Sequence, residues 1–182
     1  MLREKWLPLD RHPAAPRTTD SRHSLPVFYN PVKDMELDDP HQVRASGITY
    51  IRTDEGCLYL SPMTDLRSRK AAGCHASGTL DAEGALCALK MALANLPGGA
   101  LPARHSDRGC QYCSLWYVEE LDRHGLRMSM TEELHCYENA RAERLNGTLK
   151  QEYGLGISLR SKKQAIRAAD EVVFLYNTKR PH

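Results

Sequence analysis

Apolar residues gather in short segments along the chain, and turn signals separate them. "GITYIR" (47–52), "CLYLSPM" (57–63) and "KAAGCHA" (70–76) have the length and composition of strands, and "TDEG" joins the first two as a hairpin. From residue 79 the period changes. Ala82, Leu86, Leu89, Leu93 and Leu96 recur at helical spacing and predict one buried stripe. Thr79 is the expected cap, Asp81 and Glu83 suit the first turn, and "GG" follows the end. "ALPARH" (100–105) predicts a fourth strand. "SLWYVEELDRHG" predicts a helix with Ser114 as cap and Gly125 as stop, and "LRMSM" (126–130) predicts a fifth strand. Two helices close the pattern, one over 138–153 and one starting after Ser161.

That order allows parallel pairing beyond the first three strands, so the expected class is α/β, with a mixed sheet flanked by helices. Residues 1–26 are polar, proline-bearing and aperiodic. The expected division is an N-terminal linker or extension over 1–39 and one ordered domain over 40–182, a length that can bury a usable core.

Composition narrows the class. Apolar residues make up 41% and charged residues 26%, as in a globular protein, and no apolar run approaches the ~18 residues of a membrane span. The first residues have no apolar signal core, so the expected setting is the cytoplasm, without a membrane, where the six cysteines stay reduced. The net charge of +2 is uneven. Residues 141–182 carry nine Lys/Arg against four Asp/Glu, a balance of +5, and residues 1–140 carry 16 against 19, a balance of −3. A basic C-terminal third fits a polyanion partner, and it equally fits a solvated helix surface.

Two carboxylates stand out. Asp107, in "RHSDRGCQYC", follows a strand and precedes "RG", so it belongs to the loop at the strand's end, where open α/β sheets bind ligands. A turn aspartate would read the same way. On the 138–153 helix, Ala142, Leu145, Leu149 and Tyr153 form a packing face. Glu143, Asn146 and Lys150 form another, opened at Gly147, or else an ordinary solvated face. A loop aspartate and a helix glutamate can share Mg²⁺ or Mn²⁺. Cys110 and Cys113 have Cys-x-x-Cys spacing, but zinc needs four ligands. His105 and the His135–Cys136 pair complete no spacing motif, so a small reduced pair is expected.

"HSDRGCQY", then "CYENARAERLNGTLKQEYG", then "YNTKRPH" resemble the catalytic core of insertion-sequence transposases. The group is the one abbreviated IS with the numeral three, and its cores are similar to retroviral integrases. "TTDSRHSLPVFYNPVKDMEL", "ITYIRTDEGCLYL", "SRK" and "HASGTLDAEGALCALKMAL" extend the likeness over roughly residues 18–182. The resemblance implies an RNase H-like fold with a five-stranded mixed sheet, and a core truncated at its C-terminus. It also implies two-metal phosphoryl transfer on DNA by a homo-oligomer. Asp107 matches the family's second catalytic aspartate and Glu143 its glutamate. Asn146 and Lys150, and more weakly Arg141 and Arg144, are candidate DNA contacts. The family's helix-turn-helix region lies upstream of the matched segment.

The family's first catalytic aspartate falls in a W-x-x-D-I-T-Y pattern. Here the stretch is "RASGITY", with Arg44 at the tryptophan and Gly47 at the aspartate. Asp54 in the next turn and Asp65 beyond the second strand are the nearest alternatives. Pro62, Arg67, Cys74, Ala103 and Arg104 also depart from the pattern. The expectation is therefore a DNA strand-transfer core with an impaired site. The alternative is a non-catalytic nucleic-acid-binding or oligomerising remnant.

Overall fold

The computed structural model describes residues 16–132 and 140–181. The strands are β1 (Val43–Ser46), β2 (Thr49–Thr53), β3 (Gly56–Asp65), β4 (Ala71–Ser77), β5 (Ala103–Ser106) and β6 (Met128–Met130). The helices are α1 (Ala82–Ala94), α2 (Leu115–Arg123), α3 (Ala140–Gln151) and α4 (Lys162–Lys179). Their order follows the expected order except at the start, where β1 precedes the first expected strand.

β1 and β2 lie end to end along β3, both antiparallel to it. The register is continuous across the gap: Ser46 pairs with Met63 and Thr49 with Leu60, which leaves Gly47 opposite Pro62 and Ile48 opposite Ser61. Pro62 has no N–H to give to the ladder, and the pairing lapses opposite it. The sheet thus has six segments in the layout of five strands. β4 lies on the other side of β3, and β5 and β6 extend the sheet in parallel from β1. The contact with β5 is made by Val43–Ser46, which precedes the strand expected over 47–52.

Each face of the sheet carries a helical layer. Ile51, Leu58 and Leu60 pack with Leu145 and Leu149 of α3 and with Ala165, Ala169, Val172 and Tyr176 of α4. Met63 and Met130 pack on the other face with Ala85, Leu89 and Ala92 of α1 and Tyr117 and Leu121 of α2. Of the stripe expected on α1, Leu89 is buried and Leu86 and Leu93 pack, partly buried, against the same cluster, but the other fully buried residues are Gly84, Ala85, Ala88 and Ala92. The cause is Gly73 on β4. A Cβ there would overlap the carbonyl oxygen of Ala88 and come within 2.9 Å of Ala92 N, so the helix sits too close for anything larger than alanine at the contact.

The helix ends follow local chemistry. Asp81, and not Thr79, is the α1 cap; its carboxylate accepts from Glu83 N–H, and the Thr79 hydroxyl donates to it at 2.6 Å. Ser161 caps α4 as expected by accepting from Gln164 N–H. Ser114 precedes α2 without a side-chain cap, because its hydroxyl donates to Gln111 O. Gly125 ends that segment at φ 66°. Near the end of α4, Tyr176 donates to Arg69 O at 2.8 Å, and the Asn177 amide bonds both N–H and C=O of Ala71. These two residues of "YNTKRPH" tie α4 to the β3–β4 turn.

Candidate catalytic site

β5 ends at Ser106, and Asp107 follows it. Ser46 and Ser106 are partners in the parallel β1–β5 pair, so one residue further along both chains Gly47 lies beside Asp107. Side-chain direction alternates along a strand, and the register through β2 is unbroken. Position 47 therefore shares its face with Ile51, the face that packs against α3. A side chain at the buried Gly47 would point to the same layer as Glu143, which lies in the first turn of α3.

The Asp107 carboxylate is held on both oxygens. Oδ1 accepts from Gly109 N–H at 3.0 Å, and Oδ2 accepts from the Thr19 hydroxyl at 2.8 Å. A Cβ at Gly109 would stand 3.0 Å from Oδ1 and 3.1 Å from Gln111 Oε1, so glycine keeps this loop tight. Arg108 Nε donates to Thr131 O at 2.7 Å and anchors the loop beside β6.

Glu143 is exposed, yet its carboxyl titrates above the ordinary carboxylate value. Partial desolvation is the first cause and the negative charge of Asp107 the second. The two carboxylates are thus close enough to repel. Hard oxygen donors of this kind suit Mg²⁺ or Mn²⁺, and two such residues fit one cation whose other positions are filled by water and substrate oxygens. They do not supply a third side chain. Among the described residues no group of three His, Cys, Asp or Glu is arranged to hold a metal.

Neither Asp54 nor Asp65 lies at the position of Gly47. Asp54 is in the β2–β3 turn, seven residues beyond Gly47 and so roughly 20 Å along the strand. Asp65 pairs with Arg44, on the other side of Gly47 from that turn. Its carboxylate accepts from the N–H groups of His41, Arg67 and Ser68 and from the Ser68 hydroxyl, so it organises the β3–β4 turn.

The remaining predicted residues separate. Asn146 is half-buried, and its Oδ1 has no hydrogen-bond partner among the described residues. The Lys150 ammonium lies 3.7 Å from the Tyr50 ring centroid, and Arg52 approaches the same ring at 5.8 Å. Burial first and Arg52 second lower the pKa of Lys150. Arg144 lines a different cavity of about 870 Å³, together with Arg67, Arg69 and Arg180. Arg141 belongs to α3, and its side chain lies outside the described part, as do His135 and Cys136. The buried Cys113 faces Met130 sulfur at 3.8 Å, and desolvation first, then Asp107, pushes its thiol up to about 11. Sequence reasoning missed Thr19, Tyr50 and Arg52. "TTD" and the i, i+2 spacing of "YIR" were the available signals.

The residues expected to depart at 44 and 104 fill the sheet beside this site. Arg44 and Arg104 are 3% and 1% exposed and are register partners. Arg104 donates from Nε to the Tyr117 hydroxyl at 2.7 Å and lies 5.6 Å from the ring centroids of both Tyr112 and Tyr117. Arg44 donates to Ala92 O at 2.6 Å.

Comparison with known proteins bears on the family and the fold. Two models of the Integrase core domain match residues 38–136 and 124–182. The chain is 44% identical over 131 residues to the transposase InsF for insertion sequence IS3A of Escherichia coli strain K12, covering 71% of this chain and 46% of that protein. It is 35% identical over 171 residues to an uncharacterised 31 kDa protein of insertion element IS600 from Shigella sonnei, covering 91% and 61%. The chain spans about half the length of the InsF proteins it matches. Among solved structures, the HTLV-2 integrase catalytic core domain in complex with magnesium, in its trimeric form, aligns with TM-score 0.61 at 17% identity over 80% of this chain and 90% of that one. A chain of the simian T-cell lymphotropic virus intasome, in complex with a PP2A regulatory subunit, aligns with TM-score 0.66 at 16% identity, covering 91% and 57%. These likenesses establish the RNase H-like fold.

Proposed function

Because the chain belongs to the insertion-sequence transposases that carry an integrase core domain, we propose that it is a core for DNA strand cleavage and transfer whose metal site has lost one carboxylate. Asp107 and Glu143 hold Mg²⁺ or Mn²⁺ in this reading, and Gly47 marks the lost ligand. The observation that carries it is the strand register that sets Gly47 beside Asp107, on the sheet face packed by α3, the helix of Glu143; the upward shift of the Glu143 carboxyl, from partial desolvation first and Asp107 second, supports it.

Divalent ions in such a site activate an attacking oxygen and stabilise a leaving one. The chain's own residues place the partners. Asp107 is fixed by its loop, and Glu143 approaches from α3. Asn146, whose buried amide oxygen has no hydrogen-bond partner among the described residues, is a candidate DNA contact, and Lys150, beside Tyr50 and Arg52, offers positive charge to a phosphate. Arg141 and Arg144 extend the positive charge along the helix. DNA is the polyanion that the +5 balance over 141–182 would attract, and the working species is a homo-oligomer. Without a third ligand the activity is severely impaired. Changes one shell further out already cost ~10–100-fold.

A second reading is a remnant that binds nucleic acid or self-associates without catalysis. Gly47 and the buried Arg44–Arg104 pair favour it. One experiment separates the two readings: labelled DNA is incubated with the chain, with and without Mg²⁺ or Mn²⁺, at several salt concentrations. Weak nicking that needs the metal and disappears in Asp107→Ala supports the core reading. Binding that falls steeply with salt, with no nicking in any metal, supports the remnant. Binding indifferent to salt would count against both.

A further inference from the structure

The Thr19 hydroxyl donates to the same carboxylate that closes β5, across 88 positions of sequence. The segment that carries it is docked at several points on the Asp107 loop. Arg17 Nε braces Thr19 O at 2.9 Å. Cys110 N–H donates to Asp20 O at 3.1 Å, and His23 Nε2 donates to Arg108 O at 2.8 Å. Thr19 also brings its methyl against Gly109, 3.6 Å from where a Cβ of that residue would stand. The hydroxyl therefore arrives on a strap that docks on the loop through Asp20 and His23, just after Thr19.

A carboxylate oxygen accepts more than one hydrogen bond. With Gly109 N–H on Oδ1 and the Thr19 hydroxyl on Oδ2, each oxygen keeps a lone pair, and the plane of the group is fixed by two donors at its two corners. Donors of this sort orient a metal-binding carboxylate without displacing the metal. A flexible aspartate would otherwise have to give up its rotational freedom on binding.

We propose that Thr19 is a positioning residue for Asp107, holding its carboxylate ready for a divalent cation from a segment that lies before the sheet. This rests on the reading that Asp107 binds such a cation. The orienting effect should be large here, because the site has only two carboxylates to hold the ion.

The test uses Mn²⁺ alone as probe, with the isotopically labelled chain. Paramagnetic broadening of the Gly109 amide signal gives the dissociation constant. Thr19→Val and Thr19→Ala should weaken Mn²⁺ binding by about 10-fold or more. Thr19→Ser, which keeps the hydroxyl, should bind as the parent does. Hydrogen exchange at Cys110 N–H should stay slow in all three, because its acceptor is the Asp20 backbone, and this shows that the segment remains docked. Unchanged or tighter Mn²⁺ binding in Thr19→Val overturns the proposal; tighter binding would mean that the hydroxyl masks the carboxylate. Failure of Thr19→Ser to restore binding overturns it too, as does loss of Cys110 protection alongside the loss of metal. If the parent itself shows no broadening at Gly109, and Asp107→Ala behaves identically, the metal site is wrong and the role of Thr19 falls with it.

Discussion

Arg44 and Arg104 are register partners on adjacent parallel strands, so two guanidinium groups lie side by side inside the protein. Burial lowers the pKa of Arg44; Asp65 counters this, and Arg104 adds to the lowering. Arg44 Nε and Arg104 Nη2 have no hydrogen-bond partner among the described residues. Buried charge with incomplete pairing costs stability. Arg44→Leu should therefore raise the unfolding free energy by about 1–4 kcal/mol in urea melts. Tyr117→Phe should act in the opposite sense. It strips Arg104 Nε of its hydroxyl partner and should cost about 1.5–3 kcal/mol.

Glu143 makes stability depend on pH. Its folded-state pKa is raised, first by desolvation and then by Asp107. The folded chain then binds more protons than the unfolded chain between the ordinary carboxylate value and the raised one. The stabilising contribution is present below that window and is lost as pH rises through the folded value. Glu143→Gln cannot ionise, so at pH 7 its melting temperature should exceed the parent's, and the difference should vanish below about pH 4. Added Mg²⁺ should narrow the gap at pH 7 by stabilising the parent alone. Parallel melting curves with no crossover in pH would count against the repulsion.

Gly47→Asp should restore a carboxylate on the face shared with Ile51, next to Asp107. Nicking dependent on Mg²⁺ or Mn²⁺ should rise by at least ~10–100-fold, the range already seen for weaker perturbations of metal sites. Pro62→Leu in the same chain should help by returning a ladder donor opposite that position. Asp107→Ala in the restored background should abolish the gain. A folded Gly47→Asp chain with no metal-dependent activity would place the lesion elsewhere.

Gly73→Ala tests the packing of α1. Its methyl would meet Ala88 O and Ala92 N, both backbone atoms of the helix, so the helix itself must move. The expected cost is about 1–3 kcal/mol, read as a lower urea midpoint with an unchanged slope. Gly147→Ala is the contrast. Nothing stands within 4 Å of its Cβ position, and helix propensity alone should make it neutral or slightly stabilising.

The segments with plain apolar patterning were legible: β3, β4, α2 and α4 lie within a few residues of their expected positions. β1 was not. Arg44 and Ser46 occupy buried strand positions, so a fully buried strand reads as polar. The α1 stripe was legible only in part: Leu86, Leu89 and Leu93 pack on the core, but leucine spacing says nothing of Gly73, which is contributed by another element and dictates small residues at the closest contact. The proximity of Asp107 and Glu143 was expected from their motifs. The Thr19 contact spans 88 positions, and "TTD" alone does not say which distant carboxylate its hydroxyl meets. Lys150 was read on one helix face with Glu143 and Asn146, and a side-chain pattern along one helix cannot reveal that Tyr50 of β2 receives its ammonium.

The gap between β1 and β2 behaves as a point defect in a lattice and not as a dislocation. A dislocation would shift the pairing by a residue and turn every later side chain to the opposite face. Here the pairing on both sides of Gly47 and Pro62 obeys one register, so Ile51 and Leu60 still meet the helices as they would in an uninterrupted sheet. The interruption is confined to two pair positions, Gly47–Pro62 and Ile48–Ser61, and the first of them lies beside Asp107. The scaffold on both sides of Gly47 therefore keeps the alignment that a side chain at that position would need.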